Sequence, residues 1–97
     1  MSLNNQHYFE EWEKIREELL GLVKTKDKKK IELMQKGILL LKSVHEESAK
    51  TAPLNYLDRL KFIESNLDRH VAFIQLDELL KESKKKIARL RAQNKSG

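Results

Sequence analysis

PLNYLDRLKFIESNLDRHVAFIQLDELLKESKKKIARLRA, residues 53–92, is the stretch whose reading decides the fold. Proline is tolerated in the first turn of a helix and excluded from its interior, so Thr51-Ala52-Pro53 stops one helix and starts another. From there Leu57, Leu60, Ile63, Leu67, Val71 and Ile74 recur at spacings of three and four, which is one helical face. Past Ile74 the phase slips, and the next apolar set is Leu76, Leu80, Ile87 and Leu90. No Gly or Pro marks a break. A single helix from Pro53 to Ala92 would be about 60 Å long at a rise of 1.5 Å per residue. The alternative is a break near Asn66–His70, where Ser65 and Asp68 have the spacing of a capping box and Asp68 can itself cap a helix. The unbroken spacing favours one long or kinked third helix over four helices.

Upstream, Tyr8, Trp12, Ile15, Leu19 and Leu22 predict a first helix over about Asn5–Lys24, with Asn4 or Asn5 as its cap and Lys24 and Lys26 closing it. Thr25-Lys26-Asp27 is a short connection, with Thr25 or Asp27 capping a second helix over about Lys28–Lys50. That helix carries two adjacent seams: Ile31, Met34, Ile38, Leu41 and His45 form one, Leu33, Gly37, Leu40 and Val44 the other. Two seams predict two neighbours and a central position in the bundle. Gly37 costs about 1 kcal/mol in mid-helix relative to Ala, so it predicts a close helix–helix approach, under Trp12. The expected architecture is all-α: one antiparallel helical bundle over residues 1–97, with 1–4 and 93–97 frayed.

Composition supports this class. The chain has 97 residues, 36% of them charged and 39% hydrophobic, with one Pro, three Gly and no Cys. Breakers are scarce and Leu, Lys and Glu common, as in helices. Without cysteine there is no disulfide framework and no thiolate metal site. The longest apolar run, Gly37–Leu41, is far short of the roughly 20 residues of a membrane span. The first residues lack the basic and apolar regions of a signal peptide, which makes the cytoplasm, or else the nucleus, the default compartment. The chain can equally be a fragment of a longer protein.

The net charge of +5 is unevenly spread. Glu10–Glu18 carries −3, Lys24–Lys30 +4, Ile31–Lys50 zero, Thr51–Leu80 −2 and Lys81–Gly97 +6. In an up-down-up bundle both basic clusters meet at one pole; if a fourth helix turns back, they separate.

Motifs for catalysis are missing. His7, His45 and His70 share no face, and in His45-Glu46-Glu47-Ser48-Ala49 an alanine replaces the second histidine of the zinc-protease helix. His45 continues an apolar seam and reads as a partly buried structural histidine. Glu10, Glu13 and Glu17 share a stripe but lack the Glu-x-x-His partners of a di-metal site, so they read as a solvated face. The glycines are isolated, which leaves no phosphate loop. The expectation is a non-enzymatic protein with no cofactor, no metal and no evident small-molecule substrate.

Two binding classes follow. If the third helix is long, Leu76, Leu79, Leu80, Ile87 and Leu90 project beyond their neighbours. Each is worth roughly 1.5–3 kcal/mol when buried, so they would call for a protein partner or a second copy; in a four-helix fold they would be core. The rival is a nucleic-acid-associated module using Lys28, Lys29, Lys30, Lys84, Lys85, Lys86, Arg89 and Arg91 on phosphates. The aromatics Tyr8, Phe9, Trp12, Tyr56, Phe62 and Phe73 lie away from these clusters, which argues against single-strand stacking. The same basic runs also read as solvated helix ends, or, over Lys84–Arg91, as a membrane-surface or nuclear-targeting segment.

Overall fold

The computed structural model describes residues 6–22, 25, 27–47 and 52–95. Among these the chain forms four helices and no strand: α1 Gln6–Leu22, α2 Lys29–Glu47, α3 Tyr56–Ser65 and α4 His70–Lys95. The fold is all-α, and of the two expected forms it is the four-helix one. The caps expected at Asn4 or Asn5, the closing charges Lys24 and Lys26, and the predicted end of the second helix at Lys50 lie outside the described residues, as do residues 96 and 97.

The favoured long third helix is corrected at Asn66. There the backbone leaves helical space (φ −136°, ψ 40°) while its N–H donates to Ile63 O. The Asn66 side-chain amide donates to Phe62 O at 2.8 Å, giving the last turn of α3 a partner that the helix would otherwise supply. After a turn, the Ala72 and Phe73 N–H groups reach back to Arg69 O and open α4. Pro53 is likewise not in a first helical turn. It is buried ahead of α3, Tyr56 N–H donates to its carbonyl at 3.2 Å, and Asn55 takes a left-handed conformation (φ 58°, ψ 31°). At the other end, the polar tail expected to fray from Gln93 continues as helix to Lys95.

Asp27 caps α2 as expected, accepting a hydrogen bond from Lys29 N–H at 3.0 Å. Cross-links set the directions. Tyr8 donates to Glu47, tying the start of α1 to the end of α2, and Lys29 pairs with Glu18 at the opposite end. The two helices are therefore antiparallel. Lys42 to Glu64 and the ring contact of His45 with Tyr56 set α3 antiparallel to α2. Arg16–Asp77 and the seating of Lys84 over Phe9 set α4 antiparallel to α1. The result is an up-down-up-down bundle.

Phe9, Trp12, Ile15 and Leu19 of α1 meet Leu33, Met34, Ile38, Leu41 and Val44 of α2 over a floor from α3 and α4. Gly37 sits where predicted: a Cβ there would come within 2.5 Å of the Trp12 ring and 2.9 Å of Leu76. α2 packs mainly against α1 and α4, and α4 in turn packs against α1, α2 and α3.

Candidate functional site

The five leucine and isoleucine positions proposed as a partner face do not form one. Leu76, Leu79, Leu80 and Ile87 are buried in the intramolecular core, and only Leu90 reaches solvent, at 38% exposure. The physical reason is the turn at Asn66. By sending α4 back along the bundle, it gives these side chains α1, α2 and α3 to pack against, each burial worth roughly 1.5–3 kcal/mol.

The eight basic candidates also part company. Lys30 shares a shallow hollow with Leu19, Arg69 and His70 at the end of the bundle where α4 begins. Lys84 and Arg91 border another with Gln6 and Phe9, where α1 begins. The length of α1, about 26 Å for its seventeen residues, lies between them. Lys28, Lys29 and Lys30 therefore belong to one end, Lys84, Lys85, Lys86, Arg89 and Arg91 to the other. Among the described residues the two basic clusters share no common pole. Lys29 is further occupied by Glu18, and Lys86 donates to Ala52 O at 3.0 Å.

What the fold does leave open is a groove along the outer side of the α3–α4 hairpin. Its volume is about 390 Å³, and Asn55, Asp58, Arg59, Phe62, Val71 and Gln75 line it. The Arg59 guanidinium is fixed there. It donates to both Glu82 carboxylate oxygens (2.8 and 3.1 Å), and its Nε donates to Gln75 Oε1 at 3.2 Å. This fork holds the Glu82 carboxyl below its ordinary range, and the guanidinium correspondingly above its own. Phe62 and Val71 are exposed beside it, as are Ile74 further along α4 and Leu54 and Leu57 at the start of α3. Sequence reasoning missed this groove. A signal existed: Phe62 falls outside the regular stripe through Leu60 and Ile63, which places an aromatic ring on the outer side of α3.

Two buried polar clasps cross the bundle without opening to it. Asp77 accepts from Trp12 Nε1 at 3.0 Å and pairs with Lys81 at 3.0 Å and Arg16 at 3.2 Å, the last an ion pair without hydrogen-bond alignment. Burial pushes the Asp77 carboxyl up, but the hydrogen bonds from Trp12 and Lys81 and the charge of Arg16 outweigh it and hold the group below its ordinary range. His45 Nε2 lies 3.0 Å from Ser83 Oγ, whose hydroxyl donates to Leu79 O at 2.8 Å. With the Ser83 proton so committed, Nε2 is the donor, and Nδ1 is left buried without a partner. Burial, reinforced by the charge of Lys86, pushes the His45 pKa down and keeps the ring neutral. Ser83 is fully buried, so the pair presents no accessible nucleophile. Among the described residues no group of three or more His, Asp and Glu side chains is placed to hold a metal ion. None of the described helices is long and apolar enough to cross a membrane.

A family model described as YpoC-like protein matches residues 3–95, nearly the whole chain. The chain belongs to the YpoC-like protein family. It is 30% identical over 105 residues to the uncharacterized protein YpoC of Bacillus subtilis (strain 168), an alignment that takes in 90% of this chain. The chain spans 64% of the length of that relative. No solved structure matches. For this YpoC-like chain the hairpin groove is thus the surface on which a functional reading rests.

Proposed function

We propose that this chain is a non-enzymatic interaction module that docks another protein in the α3–α4 groove. The observation that carries the reading is the exposure of Phe62 and Val71 beside a guanidinium already locked in place by Glu82 and Gln75. Apolar anchors around a fixed, satisfied polar group are the composition of an interface centre, where aromatic and Arg side chains dominate the binding energy. The two buried clasps support a non-enzymatic role, because their polar atoms face the core and each other.

The test is a binding comparison with the immobilised full chain and its Phe62→Glu variant. Proteins retained by the wild type at both low and high salt should be lost, by about 30-fold in affinity, on a hot-spot substitution. Circular dichroism of the variant should be unchanged, since Phe62 is 40% exposed. Retention that survives Phe62→Glu would sink the reading.

A further inference from the structure

We propose that the α3–α4 groove recognises its protein partner by an aromatic side chain, seated flat on the exposed face of the Arg59 guanidinium. This rests on the groove being a docking site, and it names the chemistry of the anchor. Arg59 carries five N–H donors in one plane, and four are committed: Nε to Gln75 Oε1, Nη1 to Glu82 Oε1 and to Leu54 O, Nη2 to Glu82 Oε2. These partners sit around the edges of the fork, yet Arg59 still lines the groove and its side chain is 22% exposed. With its edges occupied, what the guanidinium presents to the groove is a face.

A guanidinium face fixed in this way selects its occupant. It attracts the electron-rich face of an aromatic ring, whereas a carboxylate needs in-plane N–H groups that are already spent on Glu82 and Gln75. The surrounding charges do not call for an ionic partner either. Glu78 acts on Arg59, and Lys85 and Lys86 act on Glu82, through their charges. Asp58 lines the groove and Lys61 follows it on α3. Arg59, Lys61, Lys85 and Lys86 therefore stand against Asp58, Glu78 and Glu82, a balance to within one charge.

The rest of the groove suits a single ring. Phe62 and Val71 line it and are exposed, which gives a planar group apolar walls. Its volume of about 390 Å³ lies at the low end of small-ligand clefts, roughly 300–1,000 Å³. Asn55 and Asp58 of the same lining carry acceptor oxygens, which suits an indole, because an indole N–H needs an acceptor when it is buried. An aliphatic anchor would use the walls and leave both the guanidinium face and these acceptors idle.

The experiment is a heteronuclear NMR titration of the full chain with N-acetyl-tryptophanamide, with N-acetyl-leucinamide as the aliphatic control. The tryptophan probe should shift Phe62, Val71 and Gln75, and should move the Arg59 Nε–H proton upfield, because a proton over a ring face is shielded. The leucine probe should bind more weakly and leave that proton in place. Arg59→Lys keeps a positive charge beside Glu82 but has no planar face, so it should lower the affinity for the tryptophan probe about fivefold. Equal binding of the two probes, an unmoved Arg59 proton, or an Arg59→Lys variant that binds as wild type would each overturn the proposal. Should that variant not fold, the wild-type shifts decide. Protein retention lost in Phe62→Glu with no shift at Arg59 would discard the aromatic anchor and keep the groove. A shift at Arg59 with retention indifferent to Phe62→Glu would discard the docking reading and, with it, a protein as the source of the ring.

Discussion

At Gly37 a hydrogen stands where a methyl group would collide with the Trp12 ring and with Leu76. Gly21 is the natural control: it lies in α1, exposed, and a Cβ there would meet nothing within 4 Å. On helix propensity alone both glycines should gain from alanine, by about 0.5–1 kcal/mol. Packing reverses the sign at Gly37, because the obstacle is a buried indole held by its bond to Asp77 rather than the free end of a flexible chain. Gly37→Ala should therefore lower the urea-unfolding free energy by about 1–3 kcal/mol, while Gly21→Ala raises it. Equal midpoints for Gly37→Ala and the wild type would show that Trp12 moves aside at no cost. This contact was legible in the sequence, since a glycine on an otherwise apolar helical seam implies something large pressed against it.

Between elements, α3 depends on how its chain enters. Asn55 starts it from a left-handed conformation and without a side-chain cap bond, a state that most L-residues adopt at a cost of about 1–2 kcal/mol and Asn and Gly adopt more readily. Asn55→Ala should destabilise by that amount and Asn55→Gly should not; thermal melts of the two variants that coincide would show that the backbone there is not strained. The other end of α3 is where sequence reading reached its limit. Leu57, Leu60, Ile63, Leu67, Val71 and Ile74 look like one continuous stripe, yet Leu57, Val71 and Ile74 face solvent. The stripe joins two helices whose core faces have different phase, Leu60 and Ile63 in one, Ala72, Phe73 and Leu76 in the other. The slip past Ile74 was the trace of that break, displaced from it by two turns. Asn66 breaks the helix with a side-chain amide and a dihedral change, signals that a periodicity count does not register. The partner face built on Leu76, Leu79, Leu80 and Ile87 failed for the same reason, because one turn converts a projecting helix into a core one.

Across the whole molecule, two buried clasps hold the hairpins together, and they answer to acid in different ranges. Asp77 joins α4 to Trp12 and Arg16 of α1; His45 joins α2 to Ser83 of α4 and packs at a tilt against the Tyr56 ring of α3. The Asp77 carboxyl is lower in the folded protein than its unfolded value of about 3.9. Its stabilisation is present above that value and is lost as pH falls through the folded one. His45 is also lowered, but for a base the consequence begins earlier. Below an unfolded value of about 6.5 the unfolded chain takes up a proton that the buried ring refuses, so stability declines from there until the folded imidazole is itself protonated. Urea unfolding followed from pH 7.5 to 3 should then show two descents, the first beginning near 6.5 with a slope of no more than about 1.4 kcal/mol per pH unit for one proton. His45→Gln, which keeps a donor for Ser83 Oγ, should abolish the first descent and leave the second. The folded ring would gain a desolvated charge beside Lys86, with Nδ1 facing no acceptor, so the fold resists protonation rather than accommodating it. A wild-type stability that stays flat between pH 7.5 and 5 would mean that His45 finds a partner or water for its second proton, and that this clasp is looser than its burial implies.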